Sequence, residues 1–185
     1  MKITGGRARG RTLASLKGLD IRPTASKVRE AIFNILGQDM TGIRVLDLFA
    51  GTGILGIEAL SRGAENAIFI DKSNKSISII NHNLTSCGYQ DVSRILKRDI
   101  IEGLTFESLA AKGGIDLVFI DPPYGKDIVP KVITRLSICG ILAEQACAIV
   151  ESSKNDRLPE SAGTLLLSDT RIYGDTKIVI YKSER

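Results

Sequence analysis

From residue 43 onward the spacing of apolar residues switches repeatedly between two periods, and this most narrows what the chain can become. The runs "IRVLDLF", "AIFID", "VSRILKRD", "IDLVFID" and "ACAIVES" read as buried strands, and helical spacing is expected near 53–62, 73–87, 101–112 and 126–138. Buried strands that alternate with helices predict a parallel sheet covered on both faces. The tail breaks the rhythm: "TLLLSDTRIY", Gly174-Asp175 and "TKIVIYK" read as two strands joined by a tight turn. A hairpin cannot join parallel strands, so one of this pair must run against the sheet. The expectation is one α/β domain over residues 1–185 with a doubly wound, mostly parallel seven-stranded sheet ending in an antiparallel hairpin. Residues 43–185 form its Rossmann-like core and 1–38 a basic N-terminal β/α extension. Within that extension Gly5, Gly6, Gly10 and Gly18 break a loose alternation, suggesting a short strand or hairpin. Val28, Ala31, Ile32, Ile35 and Leu36 then recur at helical spacing, with Pro23 before them and Thr24 or Ser26 as candidate caps.

Ligands of open α/β sheets sit beyond the carboxyl ends of the strands, near the point where strand order reverses. The loop after the first strand of the core reads "DLFAGTGILG", with Gly51, Gly53 and Gly56 spaced as G-x-G-x-x-G and Asp71 about twenty residues on. That is the spacing of a dinucleotide fingerprint. Asp47 at its head argues otherwise: at ~5 Å and an effective dielectric of 20, each unit of like charge on a pyrophosphate costs roughly 3 kcal/mol. S-adenosylmethionine carries an ammonium and a sulfonium and no phosphate, so the same carboxylate would attract it. Capping of a helix or loop is the alternative role for Asp47. Asp71, ending the second strand, can accept ribose hydroxyls of either ligand. Asp99, ending the third, can accept from an adenine amine while the Ile100 amide donates to the ring, or it can cap a helix.

Asp121-Pro122-Pro123-Tyr124 follows "IDLVFI" at the end of the fourth strand. Consecutive prolines fix φ, remove two donors and hold Asp121 and Pro122 extended. The result is a stiff loop with bare carbonyls, a carboxylate and an aromatic face. It suits a flat heterocycle with an exocyclic amine: Asp121 and the Pro122 carbonyl accept its two N–H bonds and Tyr124 stacks on the ring. Acceptors out of the ring plane favour a more tetrahedral nitrogen, with its lone pair aimed at the methyl donor. Catalysis would then rest on orientation and electrostatics.

The net charge of +4 is distributed unevenly. Residues 1–29 hold eight basic side chains against Asp20 alone, a balance of +7 that leaves −3 for the rest. Such a run is either a solvated tail or the footprint of a polyanion. Cys87, Cys139 and Cys147 are odd in number and form no C-x-x-C, which suggests reduced thiols in a cytoplasmic protein. His82 stands alone, so neither a His-based metal site nor a Ser/His/Asp triad is expected. No run approaches the ~18 apolar residues of a membrane span.

With "GGRARGRTL", "RPTASKVREAIFNIL", "DLFAGTGILGIEALSRGA", "DLVFIDPPYG" and "YGDTKIVIY" in place, the chain resembles the class I methyltransferases that modify exocyclic amines. It resembles more closely the RsmD-type family, which methylates guanine N2 in small-subunit rRNA, at position 966 of the 16S molecule. The resemblance implies S-adenosyl-L-methionine as cofactor, with Asp47, Phe49, Gly51 and Gly53 at its methionine end. Asp71 and Lys72 would lie at its ribose, and Asp99 and Ile100 at its adenine. Asp121, Pro122, Pro123 and Tyr124 would hold a flipped-out guanine. Arg7, Arg9, Arg11, Arg22, Lys27 and Arg29 are the candidate RNA contacts; Arg22, Thr24 and Arg29 could instead order the cofactor. A chain this small is not expected to supply all specificity, so the implied partner is small-subunit rRNA in a partly assembled ribosomal particle, with no membrane and no metal. A DNA adenine-N6 or cytosine-N4 methyltransferase would use the same D-P-P-Y chemistry. An NAD-binding oxidoreductase and a non-catalytic RNA-binding module are the alternatives of other classes.

Overall fold

The structure, a computed structural model, describes residues 1–15, 23–102, 106–109, 114–123 and 128–184. Arg22, Tyr124 and part of the helix expected over 101–112 lie outside them. In chain order the elements are α1 (Pro23–Leu36), β1 (Arg44–Leu48), α2 (Ile54–Ser61), β2 (Asn66–Asp71), α3 (Asn74–Cys87), β3 (Ser93–Lys97), β4 (Ile115–Ile120), α4 (Ile128–Ile138), β5 (Leu142–Ser153), β6 (Ser161–Ala162), β7 (Leu165–Tyr173) and β8 (Thr176–Ser183).

The strands form one sheet in the order β3-β2-β1-β4-β5-β8-β7-β6. The first five pair in parallel, and β8 pairs antiparallel with both β5 and β7. The chain winds outward from β1 through β2 and β3, then returns to place β4 on the other side of β1. That reversal opens a crevice at the carboxyl ends of β1 and β4.

Alternation along each strand divides the core. Leu46, Leu48, Ile68, Ile70, Val118, Ile120 and Val150 face one layer with α4, while Val45, Phe69, Leu117, Phe119 and Ile149 face the other with side chains of α1, α2 and α3. Strands apolar on both faces must be covered on both, which explains their near-continuous hydrophobic runs. The tail hairpin turns at Gly174, whose φ of 63° supplies the backbone a two-residue connection needs.

Three details differ from expectation. The sheet has eight strands, because the two-residue β6 adds an antiparallel edge to β7. Helix α1 begins at Pro23, so Thr24 and Ser26 lie in its first turn rather than at its cap; proline's fixed φ and missing N–H suit that position. Between β3 and β4 the described residues form a turn at 100–102 and a 3₁₀ turn at Phe106–Leu109. Asp99 Oδ1 accepts the Ile101 and Glu102 N–H groups at 2.9 and 3.4 Å, which closes a local turn where a helix was expected.

The N-terminal segment is bound to α2 rather than trailing from it. Lys2 and Thr12 form an antiparallel bridge, and the resulting loop packs over a helix whose residues Gly56 through Ser61 are all buried. At its centre is Glu58, fully buried. Its carboxylate accepts the Thr4 N–H at 2.9 Å, the Gly5 N–H at 2.7 Å and the Thr4 hydroxyl at 2.8 Å, and pairs with Arg62 at 2.8 Å and Arg29 at 3.4 Å. Ser61 adds a second anchor, donating to the Gly5 carbonyl and accepting the Ala8 N–H. Removing one partner of a buried ionic group strands the others, so Glu58→Leu is expected to cost about 3–5 kcal/mol of stability in urea unfolding. A cost under about 1 kcal/mol would show that the arm is held by something else.

Candidate active site

The glycine loop is shaped by where its backbone donors go. The Gly51 N–H donates to Asp71 Oδ2 at 2.9 Å, the Gly56 N–H to Asp47 Oδ2 at 3.0 Å, the Gly53 N–H to the Ala50 carbonyl at 2.7 Å, and the Ala50 N–H to the Ile70 carbonyl at 3.0 Å. Gly51 and Gly53 have φ of 57° and 76°, and Phe49, which is not glycine, has φ of 60°. A bulky residue in the left-handed region is strained and persists only where its surroundings impose it. Gly56 lets α2 lie close on β2: a methyl group there would overlap the Phe69 ring. Two carboxylates therefore occupy amides that a pyrophosphate would need, so the loop is not an anion cradle despite its G-x-G-x-x-G spacing.

Asp47 differs from the expectation that it faces the ligand space. Its side chain turns beneath the loop to the Gly56 amide and is 2% exposed. Burial, opposed by the Gly56 hydrogen bond and reinforced by the Asp71 charge, pushes its pKa up to about 8. The capping role and the position at the end of β1 coexist: the carboxylate substitutes for the side-chain cap that Gly53 cannot provide.

Asp71 is half-buried and bonds to the loop with one oxygen and to the Ser73 N–H, at 2.8 Å, with the other. Its neighbour Lys72 reaches outward to Asp99 Oδ2 at 3.3 Å. The Ile101 amide, with Lys72 helping, holds the Asp99 carboxyl below the usual range. Ile100 is buried beside it. Asp71, Lys72, Asp99 and Ile100 thus line neighbouring strand ends, those of β2 and β3.

Across the crevice, Pro122 is buried while Asp121 and Pro123 are exposed. Register decides the company of Asp121. Ile120 pairs with Val150 on β5 and with Leu48 on β1, so Asp121 emerges beside Glu151 and Phe49. Although Asp121 is exposed to solvent, its carboxyl is crowded by surrounding protein. That desolvation, then the charges of Glu151 and Asp47, raises its pKa well above the ordinary value.

The basic candidates separate. Arg7, Arg9, Arg11 and Lys27 are exposed, and Arg11 donates to the Ser86 carbonyl at the end of α3. Arg29 is corrected. It is buried, donates to the Lys2 carbonyl at 2.8 Å and pairs with Glu58, so it fastens the arm and does not present a charge to RNA. Sequence reasoning also missed Glu151, whose place beside Asp121 follows from strand register, and Asn83, a buried amide reaching the Thr52 carbonyl at 2.9 Å. A lone polar residue within a strand or a helix carries no signal of either role. Among the described residues no group of His, Cys, Asp or Glu is placed to hold a metal ion, and no helix is long and apolar enough to cross a membrane.

The profile of the family described as "Conserved hypothetical protein 95" matches residues 1–182. The Bacillus subtilis protein YlbH, named provisionally as an rRNA methyltransferase, is 36% identical over 98% of both chains. The Escherichia coli protein named ribosomal RNA small subunit methyltransferase D is 31% identical over all of this chain and 90% of its own. The solved structure of Escherichia coli yhhF, named provisionally as a methyltransferase, superposes with a TM-score of 0.82 at 32% identity, covering 100% of this chain and 98% of that one.

The Asp47 environment sets a pH dependence. Its carboxyl holds a proton in the folded protein up to about pH 8 and in the unfolded chain only to the ordinary 3.8. Between those values the unfolded state binds fewer protons, so this group makes stability fall as pH rises, by up to about 1.4 kcal/mol per pH unit. Asp47→Asn keeps an acceptor for Gly56 and loses the titration. Urea unfolding across this range is expected to show the variant gaining on the wild type as pH rises; parallel curves would contradict the assignment.

Proposed function

The chain belongs to this family, and from that premise we propose that it methylates the exocyclic N2 of a guanine in small-subunit rRNA. It is an S-adenosylmethionine-dependent rRNA methyltransferase. The observation that carries it is the glycine loop: the Gly51 and Gly56 amides are taken by Asp71 and Asp47, so a phosphate finds them occupied, while Asp71 and Asp99 offer acceptors to a ligand that has no phosphate. The bound S-adenosylmethionine supplies an electrophilic methyl group on a sulfonium.

The chain's own residues supply position and charge. The backbone of Phe49, Gly51 and Gly53 forms the wall nearest the methionine end, with Asp47 beneath it adding negative potential once a cation favours its ionised form. Asp71 retains acceptor capacity for ribose hydroxyls beyond its two amide bonds, and Asp99 with Ile100 borders the adenine end.

Asp121 accepts an N–H of the target amine. The same surroundings that raise its pKa make it a stronger acceptor, and Pro122, buried behind it, gives the carboxylate a stiff support. Tyr124 stacks on the ring in this reading. Guanine N2 is reached by extruding the base, at a cost of a few kcal/mol that is lowest in a loop. Arg7, Arg9, Arg11 and Lys27 offset that cost at the phosphates.

With labelled S-adenosylmethionine and unmethylated small-subunit particles, label is expected on guanine N2. Label on adenine N6 or cytosine N4, or a preference for duplex DNA, would overturn the reading. Asp121→Ala is expected to abolish turnover while cofactor affinity stays within about threefold, since the residue acts on the amine. Replacing Arg7 and Arg9 together by Ala should weaken RNA binding and reduce the slope of log affinity against log salt by about 1.4, or 0.7 per phosphate. An unchanged slope would remove these residues from the interface.

A further inference from the structure

Asn83 is a fully buried side chain on α3 whose amide is spent outside its own helix. Its Oδ1 accepts the Ala14 N–H at 2.8 Å, and its Nδ2 donates to the Ala14 carbonyl at 3.2 Å and to the Thr52 carbonyl at 2.9 Å. Both partners lie in irregular segments. Thr52 sits between the two glycines of the cofactor loop, and Ala14 closes the N-terminal arm.

The bonds constrain each partner tightly. The peptide joining Thr52 to Gly53 is held at its carbonyl by Asn83 and at its N–H by the Ala50 carbonyl, so it cannot rotate without losing one of them. Ala14 is gripped through both its backbone groups, as a strand partner would grip it. Behind Ala14 the arm is closed on itself: Leu13 donates to the Met1 carbonyl at 2.8 Å, Ile3 to Arg11 at 3.0 Å and Gly10 to Ile3 at 2.8 Å. Arg11 also bonds α3, at Ser86. A shift at Ala14 is therefore transmitted to the segment bearing Arg7, Arg9 and Arg11.

A fully buried amide that loses one partner incurs that group's desolvation penalty. Loosening the loop at Thr52 leaves a donor unpaired and weakens the hold on Ala14; loosening Ala14 weakens the hold on Thr52. We infer that Asn83 is a positioning residue through which cofactor loop and N-terminal arm order one another, so that methyl donor and RNA bind with positive cooperativity. This rests on the reading of the loop as the donor site and the arm as RNA-facing. Coupling is reciprocal: whatever RNA does for donor affinity, donor does for RNA affinity. It operates by prepaid ordering and needs no large movement.

The test uses the full chain, S-adenosylhomocysteine and an unmethylated small-subunit rRNA transcript. By calorimetry the wild type is expected to bind S-adenosylhomocysteine about fivefold tighter when RNA is present, at the low end of usual couplings. In Asn83→Ala that ratio should fall to about one. A second measurement needs no variant: S-adenosylhomocysteine alone should slow hydrogen exchange at the Ala14 amide of the wild type. Independent binding in the wild type, an undiminished ratio in Asn83→Ala, or unchanged Ala14 exchange would overturn the inference and leave the methyltransferase reading intact. Failure of the wild type to bind S-adenosylhomocysteine at all would sink both.

Discussion

The backbone amides of the turn from β1 into α2 are answered by two carboxylates from within the protein, and the rest of the site is arranged around that turn. Asp71 takes the Gly51 N–H and Asp47 the Gly56 N–H. In a dinucleotide enzyme such donors are left for the pyrophosphate. Here the protein supplies carboxyl oxygens of its own to those amides, so an incoming phosphate would find two of them already taken. This inverts the chemistry of the motif without altering its glycine spacing. The cost is a carboxyl so deeply desolvated that its proton is retained to about pH 8, which a cationic ligand would relieve.

A second buried anion, Glu58, plays the corresponding part on the outer side of α2. It converts a stretch of backbone with no regular structure into a docked element by accepting the Thr4 and Gly5 amides and holding Arg29 and Arg62. The strongly basic N-terminus is thereby divided. Arg29 is sunk as structural cement, while Arg7 and Arg9 remain on the surface. The charge available to a polyanion is smaller than the count suggests, but it is mounted on a rigid support. Glu58, Ser61 and Asn83 together place that support against the helices that flank the cofactor loop.

Strand register does the remaining work. Parallel pairing of Ile120 with Val150 and with Leu48 brings Asp121, Glu151 and Phe49 to one edge from three separate stretches of chain. Desolvation, with the charges of Glu151 and Asp47 added to it, raises the Asp121 pKa.

Period and punctuation in the sequence were enough to determine strands β1–β5, helices α2, α3 and α4 among them, the antiparallel tail turning at Gly174, and the strand ends that carry Asp47, Asp71, Asp99 and Asp121. These depend on local spacing, which the chain states residue by residue. The strained φ at Phe49, the inward turn of Asp47, the burial of Arg29 and Glu58 and the double grip of Asn83 were decided only by tertiary structure. So was the short β6, along with the turn at Asp99 that displaces an expected helix. The burial of Arg29 and Glu58 and the grip of Asn83 depend on partners distant in sequence, and a charged or amide side chain carries no mark of whether its partner will be solvent, ligand or another part of the same chain.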